Sequence, residues 1–89
     1  MTACPQLVYP AVSLAAWAAM KAEVQSRYGV QINAPAGQRS LDGLTVEYNY
    51  DGTRLMLECT DSPGWLSCGA INGVIDGLVT ACLAANPQP

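Results

Sequence analysis

The sequence predicts an α+β domain: a three-stranded antiparallel sheet with two helices packed on one face, in a two-layer αβββα order. Three observations predict it. Residues 44–60 alternate apolar and polar on both sides of an Asp-Gly pair, which is a hairpin pattern. Residues 10–28 repeat apolar side chains every three to four positions, the pattern of an amphipathic helix. Residues 62–85 hold three apolar i, i+4 rows out of four, the pattern of a helix buried on two sides.

Composition bounds the rest. At 89 residues the chain is one domain, 51% hydrophobic and only 12% charged, with a formal net charge of -3. Four Lys and Arg residues neutralise few phosphates, so nucleic acid is a disfavoured partner. The chain has no histidine, which removes the usual general base, metal ligand and near-neutral pH switch. Low charge with much Ala and Gly suggests that apolar surface meets a partner protein. The first ten residues carry no basic stretch and no long apolar core, so no signal peptide is read there and the expected location is cytoplasmic. The four cysteines then read as thiols; in a secreted chain the same four allow three disulfide connectivities.

In chain order, residues 1–9 are an extended lead-in, with Gln6 to Tyr9 either an edge strand or a segment lying on the core. Pro10 opens the first helix, with Ser13 as the alternative cap. Trp17, Met20, Val24 and Tyr28 form its core face, Glu23 and Arg27 an i, i+4 pair on the other side, and Gly29 its stop. Residues 30–33 are a short strand. Residues 33–43 form the longest loop, carrying Arg39, and long loops are often functional. In the hairpin, Asp51-Gly52 is read as a two-residue turn, pairing Tyr50 with Thr53, Tyr48 with Leu55, Val46 with Leu57 and Leu44 with Cys59 on the core face. Glu47 and Glu58 then lie diagonally on the outer face. Two carboxylates at such a distance are the equipment of glycoside hydrolysis, yet an open hairpin face with Arg54 nearby and no cleft reads as solvated.

The last helix is capped by Ser62, with Pro63 in its first turn. Its small row is Gly69, Gly73, Gly77, Ala81 and Ala85. Each glycine costs about 1 kcal/mol against alanine, so something is expected to pack on that row: the sheet, the other helix or a second copy. The polar row is Asn72, Asp76 and Thr80. A membrane span is disfavoured because Ser67, Asn72 and Asp76 break the apolar run. Residues 86–89 stop the helix and leave a polar tail.

No catalytic residue, metal site or cofactor is expected. Cys68 and Cys82 lie about 21 Å apart on one continuous helix, which excludes a four-cysteine zinc site. Cys68 is a candidate nucleophilic or redox thiol if Ser67 caps the helix there; a buried, inert thiol is the alternative. The order αβββα over residues 10–85 resembles the double-stranded-RNA-binding domain in topology. That family reads RNA with basic residues at the start of its last helix, where this chain has Trp65, Leu66, Ser67 and Cys68, so the resemblance implies no RNA binding. In size and charge the chain is similar to phage-encoded inhibitors, including anti-CRISPR proteins.

The functional expectation is a non-enzymatic protein-binding module occupying a partner's surface, with Arg39, Glu47, Arg54, Glu58 and Asp76 as its contacts. The alternatives are a homodimer through Gly69, Gly73, Gly77 and Ala81, and, more distantly, a thiol protein using Cys68.

Overall fold

The computed structural model describes residues 3–86 and is α+β, with two helices and one antiparallel sheet. The sheet has four strands, not three. In chain order the elements are β1 (Leu7–Tyr9), α1 (Leu14–Tyr28), β2 (Ala36–Leu41), β3 (Leu44–Tyr50), β4 (Leu55–Asp61) and α2 (Cys68–Ala85). The strand order is β1-β4-β3-β2. Residues 1–2 of the lead-in and 87–89 of the tail lie outside the described residues.

Two expectations about strands are corrected. Residues 30–33 form no strand, whereas most of the expected loop, residues 36–41, is β2. The reason is a second Asp-Gly pair. Asp42 and Gly43 both take positive φ, 52° and 86°, and Leu41 pairs with Leu44. This is the two-residue turn geometry that Asp-Gly favours. Residues 7–9, the last part of the lead-in, pair with β4 as an edge strand.

The β3–β4 hairpin has a longer loop than expected. Tyr50 pairs with Leu55, Tyr48 with Leu57 and Val46 with Cys59, a slip of two residues on β4. The Asp51 carboxylate closes the loop by accepting from the backbone N–H of Thr53 (2.9 Å) and of Arg54 (2.7 Å). A slip of two preserves the face of every side chain, so Tyr48, Tyr50, Leu55 and Cys59 are buried as the alternation predicts. The register shifts once more between Thr45 and Val46.

Helix α1 starts four residues later than expected. Ser13 is its cap, accepting from the N–H of Ala16, while Gly29 ends it in the left-handed conformation. Ala16, Trp17 and Met20 are buried, Val24 is half-buried and Tyr28 is exposed. Helix α2 starts at Cys68 with Ser67 as cap, not at Ser62. Ser62 to Ser67 instead make a turn in which Leu66 N–H donates to the Pro63 carbonyl.

The core is built from both helices and one face of the sheet: Val12, Ala16, Trp17, Met20, Tyr48, Tyr50, Leu55, Val79 and Cys82. Trp17 stacks on Tyr50 with ring centroids 4.9 Å apart. Tyr50 donates its hydroxyl to the Val12 carbonyl, and Val12 N–H donates to the Thr53 carbonyl. These bonds pin the start of α1 to the β3–β4 hairpin. Ser13 also donates its hydroxyl to the Asn86 carbonyl at 2.8 Å, joining the start of α1 to the end of α2. A second cluster holds Cys4, Cys59 and Ile71.

Candidate interaction surfaces

The alternation that buries Tyr48 and Tyr50 sends Gln38, Glu47, Asn49, Met56 and Glu58 to the opposite face of the sheet. With Gln6 and Ala36 these residues line a shallow, largely polar concavity of about 600 Å³. Glu47 and Glu58 sit directly opposite each other, not diagonally, because of the two-residue slip. Like charges in direct cross-strand register oppose folding. Gln38 continues the row on β2 beside Glu47.

The other candidate surface is α2. Its inward stripe is Ile71, Ile75, Val79 and Cys82. Its small row is open to solvent: Gly69, Gly73, Gly77, Ala81 and Ala85 are all exposed. Among the described residues, a Cβ built on Gly69, Gly73 or Gly77 meets no atom of a neighbouring element within 4 Å. Among the described residues neither the sheet nor the other helix packs closely on the row, the two intramolecular options expected there. Val74, beside the row, is 59% exposed. Gly73, Gly77 and Ala81 form one wall of a groove of about 500 Å³ whose α1 wall is Ala19, Glu23 and Arg27. Arg27 and Glu23 are ion-paired at 2.6 Å on its rim. By length and composition α2 is apolar enough to cross a membrane, with 17% of it buried in the protein.

The polar row of α2 is tied to the first segment of the chain. Asn72 donates its amide to the Pro5 carbonyl at 3.1 Å, and Tyr9 donates its hydroxyl to the Asp76 carboxylate at 2.7 Å. Burial, the hydrogen bond and the Asp76 charge together push the Tyr9 phenol above its usual range.

The cysteines correct another expectation. Cys4 and Cys68 form a disulfide, with Cα atoms 5.3 Å apart, so Cys68 is neither a free nor a nucleophilic thiol. Ser67 does cap the helix at Cys68, yet the helix terminus holds a bond instead of a thiolate. Cys59 and Cys82 are free and buried; burial raises the Cys82 thiol above its usual pKa, with a further push from Glu23. No group of three or more His, Cys, Asp or Glu among the described residues could hold a metal ion.

The five expected partner contacts do not converge. Glu47 and Glu58 share the bare sheet face. Arg39 pairs with Val46 and so has the opposite parity; its guanidinium donates to the carbonyls of Gln31 (2.7 Å) and Gln38 (3.0 Å). Arg54 lies in the β3–β4 loop, and Asp76 is on α2. The signal for β2 was present in Asp42-Gly43, and the exposed α2 row had no sequence signal beyond its composition. No family model, curated protein or solved structure matches this chain.

Proposed function

We propose that the protein is a small non-enzymatic protein-binding module whose two-layer scaffold presents α2 to a partner. Phage-type inhibition, by occupying a surface of another macromolecule, is its concrete form. The observation that carries the reading is the open small row of Gly69, Gly73, Gly77 and Ala81 beside exposed Val74. Three helix glycines cost about 3 kcal/mol together, and among the described residues nothing lies within 4 Å of a Cβ built on any of them. A partner helix or strand approaching closely would use that space. The acidic pair Glu47 and Glu58 on the bare face is a second contact surface, suited to a basic partner. Nucleic acid is disfavoured by the few basic residues, and a membrane by the bonds tying Asn72 and Asp76 to Pro5 and Tyr9.

A second reading, self-association through the same row, is favoured by the same open surface. One experiment separates them. A Cβ at Gly73 meets no described atom within 4 Å, so Gly73→Leu is expected to fold, which circular dichroism checks. A tagged pull-down that captures a stoichiometric partner with the wild type and loses it with Gly73→Leu supports the module. A wild-type dimer by light scattering that Gly73→Leu converts to monomer supports self-association. A folded Gly73→Leu protein that keeps both partner and mass removes α2 from either role.

The expected cytoplasmic location meets a competing indication, since the Cys4–Cys68 bond is typical of oxidising compartments. Thiol trapping in intact producing cells decides between them. Four alkylated cysteines mean a reduced cytoplasmic chain, and two mean an oxidised one.

A further inference from the structure

Four acid or amide side chains in this sequence directly precede a glycine: Asp42-Gly43, Asp51-Gly52, Asn72-Gly73 and Asp76-Gly77. In such a pair the glycine nitrogen can attack the preceding side-chain carbonyl, because no Cβ obstructs it. Water leaves from Asp, or ammonia from Asn, and a cyclic imide forms. Water then reopens the ring. One opening restores aspartate; the other gives isoaspartate, whose main chain runs through the side chain.

The fold separates the four. Asn72 and Asp76 lie inside α2, where the Gly73 and Gly77 N–H groups bond to the preceding turn. Asn72 also donates to the Pro5 carbonyl, and Asp76 accepts from the Tyr9 hydroxyl. Asp51 accepts from the N–H groups of Thr53 and Arg54. Those bonds favour its ionised form, whereas the reacting form is the neutral acid. Asp42 has none of these restraints. It is exposed, and among the described residues nothing bonds its carboxylate. The Leu41–Leu44 pair closes the ladder and leaves the Gly43 N–H without a turn or loop bond among the described residues.

We propose that Asp42 is a spontaneous modification site, converting to isoaspartate through the Gly43 imide, and that the conversion releases β2. The step needs only water and this chain. Gly43 N loses its proton and bonds Asp42 Cγ, and the carboxyl hydroxyl departs with that proton as water. A returning water adds at the Asp42 main-chain carbonyl carbon and breaks its bond to Gly43 N. The product has one more backbone atom between Leu41 and Leu44, in a turn whose two residues set the β2–β3 register. Strand β2 has β3 as its one neighbour in the sheet and supplies no residue to either buried cluster, so it can detach while both clusters persist.

The test is ageing of the intact folded protein in heavy-oxygen water at neutral pH. Peptide mapping by mass spectrometry then locates label and isoaspartate, and the same chain in guanidinium is the control. Asp42 should convert at least about tenfold faster than Asp51, since one hydrogen bond to a charged group is already worth about that factor. Asn72 and Asp76 should react only in the denatured chain. Aged protein should gain trypsin cleavage after Arg39, in β2, while its circular dichroism keeps the helices. Asp42→Gly keeps a favoured turn pair without the carboxyl, and should not gain that cleavage on ageing. Isoaspartate that forms no faster at Asp42 than at Asp51, or only after denaturation, overturns the proposal. Isoaspartate at Asp42 with Arg39 still protected, or equal cleavage of aged Asp42→Gly, overturns the release of β2.

Discussion

Reducing the Cys4–Cys68 bond tests the architecture most directly. The bond links residues 64 apart in sequence. Closing a loop of that length removes conformational freedom from the unfolded chain worth about 4 kcal/mol at 25 °C. A domain of this size has roughly 5–15 kcal/mol to lose. For a chain of 60–100 residues each kcal/mol is about 4–8 °C in Tm, so reduction is expected to lower Tm by about 15–30 °C. Cys4 is buried beside Cys59 and Ile71, and its N–H donates to the Cys59 carbonyl. The lead-in therefore keeps native contacts after reduction, as a loss arising in the unfolded chain requires. The assay is thermal unfolding followed by circular dichroism, with and without reductant, on the wild type and on a Cys4→Ser, Cys68→Ser double variant. The double variant should match the reduced wild type and ignore the reductant. A wild-type Tm that moves by less than about 5 °C, against the 4–8 °C expected from a single kcal/mol, would refute the reasoning. The cysteines would then be independent thiols in the folded protein.

Three further outcomes follow from named contacts. Gly77→Ala, on an exposed helix position with nothing within 4 Å, should stabilise the protein by about 1 kcal/mol in urea unfolding; a loss would mean that the position is covered. Glu58→Gln relieves the direct opposition to Glu47 and should add roughly 0.2–1 kcal/mol at neutral pH, with a gain that shrinks in high salt. Asp51 is held below the usual carboxylate range by the N–H groups of Arg54 and Thr53. Because its folded pKa is depressed, its contribution is present above the unfolded value of about 3.9 and is lost as pH falls through the folded one. A pH series of chemical melts should therefore show a shallower acid-side slope for Asp51→Asn, and an unchanged slope would remove the cap from the account.

The parts of the fold legible in the sequence are those governed by local period. Alternation in residues 44–60 placed Tyr48, Tyr50, Leu55 and Cys59 on the buried face, and this held even though the pairing slipped, because a slip of two changes partners but not faces. It did change the relation of Glu47 to Glu58, from diagonal to direct. Local rules failed where two sites carried the same signal. Asp42-Gly43 and Asp51-Gly52 are the same dipeptide, but only the first adopts the two-residue turn. At the second, the Asp51 side chain takes over the backbone donors of a longer loop. Ser62 and Ser67 are both competent helix caps, and the turn at Pro63 gives the role to Ser67. Non-local features had no signal at all. Nothing in spacing pairs Cys4 with Cys68, since their approach depends on β1 lying along β4. The small row of α2 invited burial by its composition, yet Ile71, Ile75, Val79 and Cys82 suffice to seat the helix, and the row is left outside.

The strand order β1-β4-β3-β2 also sets a schedule for the chain as it is made. Translation is vectorial, so β1 emerges before β4, its one neighbour in the sheet among the described residues, and Leu7 waits for Leu57. The β2–β3 hairpin needs just the two residues Asp42 and Gly43 between its arms and can close while β1 is still single. The local β2–β3 hairpin is therefore expected to close before β1 pairs. Cys4 cannot find Cys68 until β4 and the first turn of α2 are both out of the ribosome, so that bond marks a chain in which every strand of the described sheet has been made.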